Sequence, residues 1–434
     1  MNDLLDTPVE STTRALLDFE ECYDAVIELC EEAREAVYLS SWLIDFDYRM
    51  NGRFTMRELL ERMSARGVVV KILLTPNVLF DLVPPEVLPE GVELRFATTW
   101  GPRYRLFERL SFGRNVRSNP ADYDYRWFST HHKLLVVDGR RALIGGCDIN
   151  DQRAGSERTG ETNDHGFIWA ETAVLTECDA ELWHYCAENF ETRGRAQMDS
   201  VRWLGPFPTR SHEASVLCHQ IRDARELLYI ENQYLTVGSR TEPNVLEVLA
   251  ERIARAARTA ESLRIVIVTN RVCADSGGFL RFALKQNFCL AIEKLEQHLE
   301  RRGIPKEKLK DHLVCAELRR DEAPIFVHSK VFIRDGETLI TSSSNLNDRS
   351  LSSSGSDQEL GVRFDDRELA FDLLQRLIAK HLGRPASAEP LSGEEIFEAV
   401  RSSQGHFRAL PPERVGWATR LWYRIVTAFA PSLR

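Results

Sequence analysis

The sequence predicts an α/β fold built from two similar halves, each a mixed sheet with helices packed outside. Three observations carry that prediction. The stretch His131-His132-Lys133-Leu134-Leu135-Val136-Val137-Asp138 returns as His328-Ser329-Lys330-Val331-Phe332-Ile333-Arg334-Asp335, so the pattern His-x-Lys-x4-Asp is written twice. The elements ahead of each copy follow the same order at similar spacing: Tyr38 precedes His131 by 93 residues and Tyr229 precedes His328 by 99, the signature of an internal duplication. Short β-branched runs alternate with segments of helical periodicity, which is the pattern of sheets covered by helices.

Taken in order, apolar residues at helical spacing from about Thr13 to Ala36 lead into a strand at Val37–Leu43. A second helix is expected from Thr55, stopping at Gly67, a favourable residue just past a helix end; a strand at Val68–Leu74 and a shorter one at Val92–Phe96 follow. The second half repeats this with a helix near Glu213, a strand from Leu227, a helix from Asn244, a strand at Leu263–Thr269, a long helix from Gly278 and a strand from His312. Leu204-Gly205-Pro206-Phe207-Pro208 interrupts regular structure and marks the boundary between halves. The expected organisation is therefore residues 1–204, residues 205–382, and a linker with an amphipathic tail over 383–434.

Within each motif the residues between Lys and Asp are mostly apolar and β-branched, so the motif lies on a buried strand. Alternation sends His and Lys to one face. Two such pairs facing each other suit a phosphodiester: lysines neutralise phosphoryl oxygens, one imidazole attacks phosphorus and the other protonates the leaving alkoxide.

This doubled motif resembles the phospholipase D superfamily. Gly145-Gly146-Cys147-Asp148 and Ser342-Ser343-Ser344-Asn345, each ending ten residues past its motif's aspartate, correspond to that family's Gly-Ser-x-Asn phosphate-contacting segment. The runs Asn345-Leu346-Asn347-Asp348-Arg349-Ser350 and Tyr229-Ile230-Glu231-Asn232-Gln233-Tyr234 resemble the lipid-cleaving, eukaryotic-type members, and cardiolipin synthase-like transphosphatidylases share the chemistry. The resemblance implies two lobes related by a pseudo-two-fold with one active site on the seam. It implies His131 and His328 as nucleophile and general acid, with the first as nucleophile, and Lys133 and Lys330 as phosphate ligands. Asn345 and the Ser343 hydroxyl are further donors. Asp148 stands where Asn345 stands in the second half and is a doubtful phosphate ligand, since an ionised carboxylate repels phosphate. Asp138 and Asp335 complete the motif and are expected to anchor its turn rather than touch substrate.

A nucleophilic imidazole needs a carboxylate on its far nitrogen. Aligning the halves through a shared glycine, Asp164-His165-Gly166 against Glu359-Leu360-Gly361, selects Asp164 and Glu359 for that role. Glu231 and Gln233, and Trp42 on the corresponding first-half strand, are expected to reach the cleft. The basic and aromatic segment Trp100 to Phe128 is a candidate lip for a lipid-accepting cleft.

Composition narrows the function. A net charge of −10, with 43% hydrophobic and 28% charged residues, is that of an ordinary globular protein. It argues against a general nucleic-acid binder, and so against a nuclease of the same superfamily. A non-catalytic scaffold would be expected to have lost a histidine or lysine, and all four stand. Nine cysteines without Cys-x-x-Cys or metal-like spacing fit a reducing, cytoplasmic compartment. No signal peptide and no apolar run of about 18 residues is visible. The expectation is a metal-independent enzyme without cofactor, peripheral at the membrane surface and acting on phospholipid, with no obligate protein partner. Its reaction is hydrolysis to phosphatidate or transfer to an alcohol, as in cardiolipin synthesis. In the tail, Val415, Ala418, Trp422, Ile425 and Phe429 recur at helical spacing beside Arg420 and Arg424, which suits an interfacial helix.

Overall fold

The computed structural model describes residues 13–75, 87–97, 129–150, 162, 168–198, 200–206, 212–236, 244–271, 278–321, 323–351, 357–411, 413–417 and 420. In the first half the strands are β1 (Arg14–Leu17), β2 (Ala36–Ser41), β3 (Val69–Leu74), β4 (Val92–Phe96), β5 (Lys133–Val137), β6 (Arg141–Gly145), β7 (Ile168–Ala170) and β8 (Thr172–Glu177), with helices α1 (Asp18–Glu32), α2 (Met56–Ala65) and α3 (Ala180–Glu191). The second half contributes β9 (Trp203–Leu204), β10 (Leu227–Asn232), β11 (Arg264–Thr269), β12 (Leu313–Arg320), β13 (Ala323–Val327), β14 (Val331–Arg334), β15 (Thr338–Ser342), β16 (Gly361–Phe364) and β17 (Phe407–Ala409). Its longer helices are α4 (His212–Asp223), α5 (Val245–Thr259), α6 (Gly278–Arg301), α7 (Arg367–His381) and α8 (Gly393–Arg401).

The first sheet runs β1-β8-β6-β5-β2-β3-β4, and the second runs β7-β13-β12-β11-β10-β14-β15-β16-β9 with β17 paired to β12. Inside both lies one six-strand pattern: β8-β6-β5-β2-β3-β4 and β16-β15-β14-β10-β11-β12 have the same order and the same senses. Register agrees to the residue, since Tyr38 pairs with Val136 and Tyr229 with Ile333, each five residues past its motif histidine. The duplication read from spacing is thus a duplication of sheet topology.

Successive residues of the motif strands enter different cores. On β5, Leu135 and Val137 join the cluster under α1 and α2, while Leu134 and Val136 join Leu182 and Tyr185 of α3. On β10, Leu228 and Ile230 pack with α4, α5 and α6, while Leu227 and Tyr229 pack with α7 and α8. Strands buried on both faces read as nearly continuous apolar runs, as these do.

The halves interlock more than a two-domain reading implies. Strand β7 of the first half pairs in parallel with β13, so the first half supplies an edge strand to the second sheet. Asp357–Gln358 pairs in parallel with Ser129–Thr130, immediately before the first motif. The expected boundary near residue 204 falls at the end of β9, a two-residue strand already paired to β16.

Two sequence expectations differ from the fold. The helix read from about Thr13 begins at Asp18: Arg14–Leu17 pairs with Thr172–Leu175 as an edge strand, and Asp18 turns the chain at φ 61°. The stretch read as a linker from residue 383 is part of the second half. Ser392 and Glu395 form a capping box at the start of α8, and Ile396, Phe397 and Val400 are buried in the core against β11 and β12. Pro, Ser and Ala made 383–393 look like a linker because turn chemistry and linker composition are alike. Phe397 is 1% exposed. Phe397→Ala should therefore destabilise the fold by about 3–5 kcal/mol, measured by chemical denaturation, whereas a true linker position would shift nothing.

Candidate active site

The two motifs begin where β5 and β14 begin, and their histidines are reached from the opposite half. His131 places Nδ1 3.0 Å from Glu359 Oε2 and 2.9 Å from the Ser343 carbonyl oxygen. His328 places Nδ1 2.5 Å from Glu171 Oε2. Glu359 and Ser343 belong to the second half and Glu171 to the first, so each imidazole is oriented by a carboxylate of the other half. The backbone crosses in the same way: His131 N–H donates to the Gln358 carbonyl at 2.8 Å, and His328 N–H to that of Ala170 at 2.8 Å. All four side chains are nearly enclosed.

With Nδ1 of His131 engaged, Nε2 is the nitrogen through which that ring would act on a substrate. Burial, followed by the charges of Lys133 and Lys330, holds His131 well below the ordinary histidine value, against the opposing pull of Asp357 and Asp148. A neutral imidazole at neutral pH is the state a nucleophile needs. Burial raises Glu359, while hydroxyls of Ser343 (2.5 Å) and Ser350 (2.6 Å) and the charge of Lys133 draw it back toward ionisation.

Both lysines are buried and aligned with their histidines. Lys133 Nζ donates to the His131 carbonyl at 3.0 Å and lies 3.5 Å from Asp148 Oδ1; Lys330 Nζ donates to the His328 carbonyl and to Gln233 Oε1 at 3.4 Å. Trp42 stands edge-on to His131, ring centres 6.0 Å apart, with the Lys133 ammonium 5.8 Å from its face. Trp169 stands edge-on to His328, ring centres 5.6 Å apart, from a position not equivalent to that of Trp42.

The remaining expected residues fall into three groups. Asn345 is buried at the site, and its Oδ1 has no hydrogen-bond partner among the described residues. Ser343 is present, but its hydroxyl donates to Glu359, and Asp148 is committed to Lys133 and to the Ser41 hydroxyl at 3.2 Å. Asp138 and Asp335 stand at the far end of the motif strands. Asp138 accepts the backbone N–H groups of Arg34, Glu35 and Ala36 at 2.8–2.9 Å, and Asp335 those of Arg225, Glu226 and Leu227 at 2.9–3.2 Å. They pin the motif turn to the start of the neighbouring strand, five residues beyond the lysine, and are structural.

Glu231 does not reach the cleft. It is fully buried on the other face of β10, where Tyr229, His381 and Ser329 all hydrogen-bond it. Burial raises its pKa, but His381, Lys380 and the Ser329 hydroxyl outweigh that and the net direction is down. It braces the strand bearing the second motif, at Ser329, between His328 and Lys330.

Asp164 and the segment Trp100 to Phe128 lie outside the described residues. The carboxylate found on His328 is Glu171, which the sequence reading missed. Register explains why: Gly145 pairs with Ala173 and Ser342 with Gly361, which equates Glu171 with Glu359. The alignment through Gly166 and Gly361 slipped because the connection between Asp148 and Glu171 is longer than that between Asn345 and Glu359. The usable signal was Glu-x-small-Val, shared by Glu171-Thr172-Ala173-Val174 and Glu359-Leu360-Gly361-Val362. Gly146 matters for the same reason: a Cβ there would lie 2.2 Å from Glu171 Oε1. Among the described residues no group of three or more His, Cys, Asp or Glu is placed to hold a metal ion, and no helix is long and apolar enough to cross a membrane.

Residues 217–380 match the family described as "Cardiolipin synthase, PLD-like domain". The chain is 31% identical over 264 residues to phospholipase D zeta 2 of Arabidopsis thaliana, covering 54% of this chain and 24% of that protein. It is 23% identical over 444 residues to phospholipase D A of Dictyostelium discoideum, covering 83% of this chain and 32% of the relative. The chain therefore spans about a quarter to a third of the length of these relatives. Among solved structures it resembles phosphatidylserine synthase of Haemophilus influenzae Rd KW20, with a TM-score of 0.54 and 14% identity over 97% of this chain and 93% of that one, a likeness of fold.

Next to His131, His132 is wholly buried, with Nε2 3.3 Å from the Tyr185 hydroxyl, and burial lowers its pKa to about 4. Unfolding would let it take up a proton between about pH 4 and its unfolded value of about 6.5. In that window the unfolded state binds more protons, so the stability His132 contributes is complete above about pH 6.5 and falls as pH is lowered. The full loss from this residue is about 3 kcal/mol. Comparing His132→Gln with wild type by denaturation at pH 7 and pH 4.5 should show a clearly smaller acid destabilisation in the variant.

Proposed function

We propose that the chain is a phosphodiesterase and phosphatidyltransferase of phospholipase D type, a reading supported by the doubled motif and by its similarity to the cardiolipin synthase, PLD-like domain family over residues 217–380 and to phospholipases D. It cleaves the headgroup-side phosphodiester of glycerophospholipids through a phosphohistidine. The observation that carries this reading is the crossed pairing of two buried imidazoles with two carboxylates, each beside a buried lysine.

In this reading Nε2 of His131 attacks phosphorus; the P–N bond forms as the P–O bond to the headgroup breaks. His328, whose imidazolium Glu171 stabilises, gives its proton to the departing alkoxide. It then takes a proton from water or an alcohol, whose oxygen attacks the phosphohistidine and frees His131. Water yields phosphatidate and a lipid hydroxyl yields a new phosphatidyl ester. Lys133, Lys330 and the Asn345 amide hold the non-bridging oxygens, while Asp148 tempers the charge of Lys133. The choice of His131 as nucleophile rests on its depressed pKa and on the double anchor at its Nδ1. Headgroup release from mixed phospholipids, with and without glycerol or phosphatidylglycerol, tests hydrolysis against transfer.

His131→Ala and His328→Ala should each lower turnover at least 10³-fold, the scale of losing an essential nucleophile or acid. Only His131→Ala should prevent trapping of a phosphate-labelled enzyme in a quenched single turnover. Undiminished labelling in both variants would remove the histidine nucleophile from the mechanism.

We place the enzyme at the membrane surface, peripheral and on the cytoplasmic side. Glu293 of α6 accepts the Val415 N–H at 3.0 Å and pairs with Arg420 at 2.5 Å, and Glu413 pairs with Arg271 at 2.6 Å and with Lys285 at 2.9 Å. Val415 is buried in the second-half core, so it is unavailable to a membrane-facing stripe. The rest of that stripe, Ala418, Trp422, Ile425 and Phe429, lies outside the described residues and forms the interfacial segment of this proposal. Truncation after Arg420 should lower turnover on anionic vesicles several-fold while sparing thermal stability and a soluble phosphodiester. Truncation before Pro411 should lower all three.

A further inference from the structure

Glu213, in the first turn of α4, is 6% exposed in a helix whose other buried residues are mostly apolar. Its Oε2 accepts the hydroxyls of Ser342 at 3.0 Å and of Ser344 at 2.5 Å. Those serines flank Ser343, whose carbonyl takes His131 Nδ1 at 2.9 Å and whose hydroxyl donates to Glu359 at 2.5 Å. The Ser342 hydroxyl also receives the Ser344 N–H at 2.9 Å, closing the turn onto the carboxyl. A carboxyl is costly in such a place unless its hydrogen bonds require it; packing alone would be served by a leucine.

The pseudo-two-fold points to the same place in the first half. There the residue matching Glu213 is Cys22 on α1, the one matching Ser344 is Cys147, and the two sulfurs are in hydrogen-bond contact. Both halves brace this turn from the helix that precedes their sheet, and only the second half does it with a polar lock.

We propose that Glu213 is a positioning residue for the nucleophile: through Ser342 and Ser344 it fixes the turn whose Ser343 aligns His131 and holds Glu359. Substrate is not among its contacts. Burial pushes its pKa up to about 8, so around neutral pH it serves mainly as a neutral hydrogen-bonding group beside Glu359. Glutamine is therefore a faithful substitute.

The proposal rests on the phosphohistidine reading and deepens it. Its test is the single-turnover rate of phosphoenzyme formation from a soluble nitrophenyl phosphodiester, at pH 6.5, with steady-state KM and thermal unfolding alongside. Glu213→Ala should slow phosphoenzyme formation at least tenfold with KM within threefold, because a displaced nucleophile loses rate rather than binding. Glu213→Gln should return to within threefold of wild type. The double variant Ser342→Ala, Ser344→Ala removes the same bonds from the other side and should match Glu213→Ala, so the test survives if that variant folds poorly. Wild-type rates in both the alanine variant and the double variant would overturn the proposal, as would a glutamine variant as slow as alanine. A wild-type enzyme that forms no phosphoenzyme would instead overturn the functional reading itself.

Discussion

The crossed contact between each motif histidine and a carboxylate of the opposite half is the constraint on which the rest of the site depends. An imidazole in a buried strand end is useless as nucleophile or acid unless its second nitrogen is held, because the ring can otherwise rotate or adopt the wrong tautomer. Here neither half contains both members of its own pair: Glu359 serves His131 and Glu171 serves His328. The site therefore exists only when the two sheets meet, and β7 crossing into the second sheet together with the Ser129–Thr130 and Asp357–Gln358 pairing fixes that meeting within the backbone.

Burial sets the electrostatics of the site. Enclosure favours neutral His131, and the same enclosure strengthens the attraction of Lys133 and Lys330 for a phosphodiester anion. Such a dry site is stable only if every charge has partners. The lysines find backbone carbonyls and Asp148 or Gln233, and Glu359 collects two serine hydroxyls.

What was legible in the sequence follows from what is periodic or repeated. The doubled motif, the strand order and the buried strands could be read because duplication and alternation leave their mark in residue order. The motif aspartates were readable as anchors because short polar side chains favour the left-handed turn, and both Asp138 and Asp335 adopt it at φ 52° and 54°. Glu171 escaped because its signal is a pairing register, and connections of unequal length hide register in the residue order. Glu231 was read as facing the cleft because alternation tells which residues share a face without telling which face is inward. In β10 both faces are buried, and the sheet's other side holds His381. The linker-like composition at 383–393 concealed α8 because the burial of Ile396 and Phe397 is a tertiary fact.

Duplication creates a difficulty that the structure resolves at a few positions. Two identical halves would present two identical histidines, yet the proposed chemistry needs one to attack and one to give a proton. The differences lie at matched places around the motifs: Gly146 against Ser343, Asp148 against Asn345, Trp42 against Gln233, Cys22 against Glu213. Ser343 adds a carbonyl at His131 Nδ1 and a hydroxyl on Glu359, so that carboxylate is shared among three donors. Gly146 leaves only space, and Glu171 closes into it to meet His328 at 2.5 Å. The carboxylate thus lies closer to the ring at His328, 2.5 Å from Nδ1, than at His131, 3.0 Å from Nδ1. The two histidine–carboxylate contacts thus differ through which small residue stands fifteen positions after each histidine, Gly146 or Ser343.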